Sequence, residues 1–539
     1  MKTKLIILCS ILIFSCKNES TTQLDVDTST ITSKELEFKV LDSQYLNADE
    51  LWEPFEKYWE DFTEEDYTRL KPLILEQDIP TLQSNIAKGV LSYEELTLFY
   101  LYRIKKFDRL NELSLNSVIA LNPTIVEEAK KADLTKFVVA PHPIFGMPIL
   151  LKDNINAAGM PTTAGAIALT NNNTDDAFIV KQLKMNGALI LGKTNLSEWA
   201  YMFCWCPSGY SAVGGQTLNP YNRKVFGTGG SSSGSAVAAA TNFAVGTVGS
   251  ETSGSILSPA SQNSVVGLKP TVGSLSRTGI VPISSTLDTP GPLTRNVIDT
   301  AILFDAMYGY DSADVLSVAS DKIGNFYQSI IEGHEIESKN LRFGVFKKLL
   351  KDSLYANAVG ILKDNGASIV EIEEVVVKFK GLWTVLSIDM RNDLPKYLKN
   401  NADSSLTISN VSDVIVFNKK DSVLTMPYGQ NTFYEIVNDK TSDSDLIQIK
   451  DSLLSKGKYF FDVHIKAHNL NAILSISNYH SGYAAVAIYP AITVPMGYTN
   501  EGQPEGLTFI SPEDEDRLFV WAYVYEQLSK ERRMPENYN

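Results

Sequence analysis

Gly227-Thr-Gly-Gly-Ser-Ser-Ser-Gly-Ser235 and, fourteen residues further on, Gly249-Ser-Glu-Thr-Ser-Gly-Ser-Ile256 decide how this chain is to be understood. Each embeds a serine, Ser231 or Ser255, among glycines and small side chains, where a backbone can come close to a bound molecule. Upstream, Gly146-Met-Pro-Ile-Leu-Leu-Lys152 sets a lysine at the end of a short apolar run, where a strand would deliver its side chain into a site. A serine hydroxyl is a weak nucleophile and needs a base to take its proton as it attacks. Lysine serves only when neutral, and burial lowers its pKa toward that state.

Working outward, the apolar runs Ile149-Leu-Leu151, Ala188-Leu-Ile-Leu191 and Val245-Gly-Thr-Val248 alternate with helical stretches, which predicts an α/β layered fold. From Ala48 to Arg103, leucines and aromatic residues recur at helical spacing, and Ser92 with Glu95 has the spacing of a capping box. These helices are expected to pack outside the core. The segment from Asp516 to Lys530 aligns Leu518, Trp521, Ala522, Tyr525 and Leu528 on one face of a helix that docks on the core. Residues 310–480 carry no motif that can be attached to chemistry.

Two patterns compete with the lysine and serines. Gly187-Ala-Leu-Ile-Leu-Gly-Lys-Thr194 fits the phosphate-loop spacing letter for letter, but its four middle residues are apolar and β-prone, so a strand is expected instead of a phosphate cradle. His142, His334, His464, His468 and His480 could in principle supply a Ser-His-Asp triad. None stands in a Gly-x-Ser-x-Gly context that would position it.

The 539 residues, 44% hydrophobic and 21% charged, read as an ordinary globular chain of one large α/β core. A formal charge of -15 disfavours nucleic acid and anionic membrane surfaces as partners. Residues 1–15 have the form of a secretory signal, with Lys2 and Lys4 before the apolar run Leu5 to Phe14. Ile13-Phe-Ser-Cys16 resembles a bacterial lipobox, so Cys16 is expected to be lipidated and to become the new N-terminus, which sets the protein at the cell envelope, anchored by lipid alone. Residues 16–40 are expected as a flexible polar tether, followed by one catalytic domain over residues 41–539. Only Cys204 and Cys206 lie beyond the leader. With one residue between them a bridge is disfavoured, and they are expected to line a loop near the substrate entrance or to fill core space. No His or Cys cluster accompanies them, so no metal is assigned.

Lys152, Ser231 and Ser255, in this order and surroundings, resemble the amidase signature family. The resemblance runs from about Leu75 to about Pro535, through Gly192-Lys-Thr-Asn-Leu-Ser-Glu-Trp199, Gly267-Leu-Lys-Pro-Thr271, Thr289-Pro-Gly-Pro-Leu-Thr294 and Tyr489-Pro-Ala-Ile-Thr-Val-Pro495. Gly214-Gly-Gln-Thr-Leu-Asn-Pro-Tyr221 and Pro282-Ile-Ser-Ser-Thr-Leu-Asp-Thr-Pro-Gly291 are most similar to the peptide amidases. The resemblance implies a large mixed β-sheet sandwiched by α-helices, and carboxamide hydrolysis without a cofactor. It makes Lys152 the base, Ser231 a bridging serine after a cis peptide bond, and Ser255 the nucleophile. It also implies an oxyanion hole from the backbone N–H groups of Thr252, Ser253, Gly254 and Ser255. The family's usual Asp-Thr-Gly-Gly-Ser is here Glu251-Thr-Ser-Gly-Ser255, a departure at two positions that the hole is expected to survive. A small-molecule or peptide amide is the expected substrate, with acyl amides and esters as alternatives within the family. A binding lipoprotein on a dead scaffold would lack a catalytic residue, and all three are present. The A subunit of the aminoacyl-tRNA amidotransferase, another alternative, commonly has an arginine where this chain has Leu257.

Overall fold

The apolar runs around Ile149, Ile190 and Val248 become neighbouring strands of one eleven-stranded sheet in the computed structural model, which describes residues 35–109, 111–135, 142–318, 326–337, 341–512 and 515–539. In chain order the strands are β1 (Val118–Leu121), β2 (Pro148–Lys152), β3 (Leu189–Thr194), β4 (Tyr210–Ser211), β5 (Gly215–Gln216), β6 (Gly246–Glu251) and β7 (Val266–Lys269). They continue with β8 (Thr289–Thr294), β9 (Arg342–Phe346), β10 (Ser368–Ile372), β11 (Ala472–Ile476), β12 (Ala491–Tyr498) and β13 (Pro504–Ile510). The sheet runs β1-β3-β2-β6-β8-β7-β12-β13-β11-β9-β10, and β4 pairs separately with β5. Strands β3, β2 and β6 are mutually parallel, as are β11, β9 and β10, while the middle of the sheet is antiparallel. β2 and β6 are buried along their whole length, which is why, up to the Lys152 and Glu251 that end them, their residues are apolar or small instead of alternating.

Helices flank this sheet. The Ser92 and Glu95 capping box forms as expected at the start of the helix Tyr93–Phe107. The N-terminal helices do not stay outside the core, however: Phe55, Leu70, Leu96 and Phe99 are fully buried in the main apolar cluster. Helical spacing fixes which face is apolar, not what covers it. The C-terminal helix Glu515–Ser529 buries Leu518, Trp521, Ala522 and Tyr525, but Leu528 is 39% exposed because the helix is ending there. A second apolar cluster joins Trp199, Phe203, Cys204 and Cys206 to Met390, Leu394 and Phe433, so the helices Leu382–Asn400, Val411–Asn418 and Asn431–Asn438 cover the segment that follows β3.

Residues 1–34, with the signal and Cys16, lie outside the described residues. The stretch expected as tether to residue 40 is already docked from Leu36, whose amide donates to the Lys224 carbonyl at 2.6 Å, and the Lys39 amide donates to the Tyr428 hydroxyl at 2.8 Å. Cys204 and Cys206 are buried in the second cluster and are paired as a disulfide. The loop brings their Cα atoms to 5.2 Å, within the range a bridge spans, by turning Trp205 outward.

Candidate active site

Because β2 and β6 are parallel neighbours, with Leu151 opposite Val248, their C-terminal ends open on the same edge of the sheet. Lys152 ends β2, and Ser250 and Glu251 end β6. The Lys152 Nζ reaches the Ser231 Oγ at 2.8 Å, the Ser250 Oγ at 2.9 Å and the Ser250 carbonyl at 3.1 Å. Asn154 Nδ2 donates to the same Ser250 hydroxyl at 2.9 Å, fixing it from the other side. Lys152 is wholly buried, and desolvation brings its pKa down to about 7, against the smaller upward pull of Asp288 and Glu251. Near neutral pH the amine is thus partly unprotonated, and its lone pair can accept the Ser231 proton.

Ser231 follows a cis peptide bond from Gly230, as the resemblance implied. Its carbonyl accepts the Ser197 amide at 3.0 Å, and the next amide, that of Ser232, donates to the Ser255 carbonyl at 3.2 Å. That bond ties the loop before the helix Ser233–Ala240 to the loop after β6. The helix can press this close only because Gly234 has no side chain: a Cβ there would lie 2.5 Å from the carbonyl oxygens of Asn195 and Ser117.

Ser255 is half-buried, at the turn between β6 and the short helix Leu257–Gln262. Among the described residues no hydrogen bond joins its hydroxyl to Ser231, so the structure brings Lys152 and Ser231 together in direct contact and leaves Ser255 beside them through the backbone alone. The amides of Thr252, Ser253 and Ser255 carry no hydrogen bond among the described residues. The Gly254 amide, the fourth donor expected in the oxyanion hole, donates here to Glu251 Oε1 at 2.6 Å. Glu251 Oε2 accepts the amides of Ile256 and Leu257 at 2.7 and 3.0 Å. The departure from Asp to Glu thus gives a carboxylate long enough to gather three amides of the turn. Burial raises the Glu251 pKa, while those amides and the Lys269 charge pull against the rise.

The family model described as "Amidase" matches residues 95–428. This chain belongs to the amidase family. It is similar to the solved structure of an amidase family protein from Bacillus anthracis, with 35% identity, a TM-score of 0.87, and coverage of 93% of this chain and 99% of that one. The native peptide amidase from Stenotrophomonas maltophilia is similar too, with 37% identity, a TM-score of 0.80, and coverage of 86% and 98%. Among sequences, a probable amidase of Arabidopsis thaliana is 34% identical, over 83% of this chain and 88% of that protein. The enzyme is a hydrolase acting on amides.

Three groups of this amidase escape its sequence. Ser250 supplies two of the three contacts of the Lys152 amine, and nothing in its sequence context marks it for that part. Asp288 accepts the Thr252 hydroxyl at 2.5 Å on one oxygen and the amides of Ile283 and Ser284, each at 2.8 Å, on the other. Burial pushes its pKa up to about 6 against those hydrogen bonds. Asp389, on the helix Leu382–Asn400, in turn accepts the hydroxyls of Ser284 at 2.6 Å and Thr286 at 2.8 Å. The otherwise illegible middle of the chain therefore braces the loop that holds Thr252. Only the Thr-Leu-Asp-Thr-Pro-Gly291 motif could have signalled Asp288.

The competing patterns resolve structurally. Lys193 of the phosphate-loop look-alike lies in β3, 3.0 Å from Asp153 in a buried ion pair. The His480 Nδ1 is 2.6 Å from Ser475 Oγ and its Nε2 3.1 Å from Glu374, the outline of a Ser-His-carboxylate row, but Ser475 is buried within β11 and out of reach of a substrate. Among the described residues no cluster of three or more His, Cys, Asp or Glu could hold a metal.

Proposed function

We propose that this amidase removes the C-terminal carboxamide of peptides through an acyl-enzyme on Ser255. The observation that carries the mechanism is the 2.8 Å contact between Lys152, buried and with its pKa near 7, and Ser231. Ser255 Oγ attacks the carboxamide carbon while its proton passes to Ser231, whose own proton passes to Lys152. The carbonyl oxygen, now negative, lies against the free amides of the turn after β6, a kind of support worth about 3 kcal/mol per donor. Collapse breaks the C–N bond, and the proton held by Lys152 returns through Ser231 to the leaving nitrogen, which departs as ammonia. Water then attacks the ester by the same route, releasing the acid and restoring Ser255. Likeness to the Stenotrophomonas maltophilia peptide amidase supports the peptide substrate.

Ammonia release from amidated peptides by the purified enzyme, with peptide mapping after a fluorophosphonate probe, tests this. An adduct on Ser255, absent in Ser255→Ala, is expected. An adduct on Ser231 or any other serine overturns the assignment. The proposed setting is the bacterial envelope, through lipid on Cys16, supported by the Ile-Phe-Ser-Cys16 sequence. Cys16→Ser is expected to lose the membrane fraction, and an unmodified Cys16 in mass spectrometry of the wild type defeats it.

A further inference from the structure

Trp205 is 66% exposed, although both its neighbours, Cys204 and Cys206, are buried and joined. Its ring stacks on Trp383 at 5.9 Å between centroids and 26° between planes. The segment that carries it is unusual just upstream, where Trp199, Ala200 and Tyr201 in succession take positive φ of 52°, 53° and 79°. Such backbone is disfavoured for residues with side chains and gathers at functional sites.

This segment touches the catalytic loops. Ser197 Oγ accepts the Gly209 amide at 2.9 Å, and a Cβ on Gly230 would lie 2.6 Å from that same oxygen and 3.4 Å from the Ser208 Cβ. The stretch on which Trp205 sits is therefore packed directly against the residue preceding Ser231. Trp383 belongs to the helix Leu382–Asn400, whose Asp389 fixes Ser284 and Thr286 beside Asp288 and Thr252. At the same end of that helix Phe379 packs on Tyr483 at 4.3 Å between centroids. Tyr483 follows Gly482, where a Cβ would lie 3.7 Å from the Ser253 Oγ. Two aromatic pairs thus meet the head of the helix, one from the segment beside the Ser231 loop and the other from the segment beside the Ser253 loop.

We propose that Trp205 and Trp383 form a specificity clamp for an aromatic or bulky apolar side chain on the residue that bears the scissile carboxamide. This rests on the peptide-amide reading above. An exposed indole backed by a half-buried one offers apolar area and ring stacking, and neither would favour a glycyl substrate. Trp205 is anchored through its buried neighbours, so its ring is held ready at little ordering cost.

The test compares N-acetyl-phenylalaninamide with N-acetyl-glycinamide on the full enzyme. Trp205→Ala should lower the ratio of kcat/KM for the phenylalanyl over the glycyl amide about tenfold, the scale of one aromatic contact, mainly through KM. Trp205→Phe should keep most of the ratio. Trp383→Ala should lower it likewise, and the double variant should fall little further than either alone. Because Trp205 is exposed, its variant should fold as the wild type does, so the decision does not depend on Trp383. An unchanged ratio in Trp205→Ala overturns the clamp and leaves the peptide-amide reading standing. No ammonia from either substrate with wild-type enzyme overturns that reading and the clamp with it.

Discussion

The carboxylate of Glu251 accepts the Gly254 amide at 2.6 Å, which ties the end of β6 to the turn that carries Ser255. Three amides depend on this side chain, and a buried amide left without a partner costs about 1–3 kcal/mol. Glu251→Ala should therefore lose stability, read as a drop in Tm, together with at least about a hundredfold in kcat, since the turn that aims the free amides collapses. Glu251→Gln presents an N–H to at least one of those amides and should lose most of the activity as well. Wild-type turnover in either variant would show that the turn holds its shape without this carboxylate.

The pH dependence follows from two groups. Lys152, with its pKa near 7, must be neutral to accept a proton, so kcat/KM should rise through about pH 7 and level off above it. Asp288, near 6, is mostly ionised at and above pH 7, and its charge there holds the lysine pKa up. Asp288→Asn removes that charge, so the midpoint of the rise should move to lower pH even as kcat falls from the loss of an acceptor for the Thr252 hydroxyl. A midpoint that stays put or moves upward in the pH–rate profile would separate Asp288 from the base.

Lys152 also carries a stability consequence. Its folded pKa lies below the value near 10.4 of an unfolded lysine, so between about pH 7 and pH 10 the unfolded chain binds more protons. The destabilisation is full below about pH 7 and fades as pH rises toward 10. Lys152→Met, of similar length and apolar, removes it, while the Ser250 carbonyl keeps the Ser232 hydroxyl as a donor at 3.1 Å. Thermal melts should place the inactive variant above wild type at pH 6, with the gap closing toward pH 10. An equal or lower Tm at pH 6 would mean that the lysine hydrogen bonds outweigh its desolvation.

What could be read in the sequence was local. Lys152 ends an apolar run, Ser231 and Ser255 stand in glycine-rich turns, and the runs that became β2, β3 and β6 are continuous because both faces of those strands are covered. What could not be read was the set of partners brought in from afar. Thr252 meets Asp288 across 36 residues, and Ser284 meets Asp389 across 105, with no periodicity to connect them. Glu251 was visible only as a departure from the family's aspartate, because its role depends on the reach of one extra methylene. The pairing of Cys204 with Cys206 was obscured for a similar reason: spacing alone did not reveal that the loop would turn Trp205 outward.

Gly254 offers the last test, since it separates backbone conformation from crowding at the catalytic turn. Its φ of +83° favours glycine, and a Cβ there would lie 3.0 Å from the Ser481 Oγ and 3.2 Å from the Asn478 Nδ2. Gly254→Ala should strain the turn and push it off the segment Asn478–Ser481, weakening the Glu251 contact and lowering kcat at least about tenfold, since small displacements of reacting groups are costly. Gly502 has a φ of +89° with nothing within 4 Å of its missing Cβ, so Gly502→Ala carries a similar backbone cost, about 1–2 kcal/mol, far from the site in sequence. The two variants should melt within a few degrees of one another, with only Gly254→Ala impaired in ammonia release and in the rate of fluorophosphonate labelling. Full activity in Gly254→Ala would show that the turn has room that the 3.0 Å approach denies, and equal impairment in Gly502→Ala would trace the loss to general destabilisation.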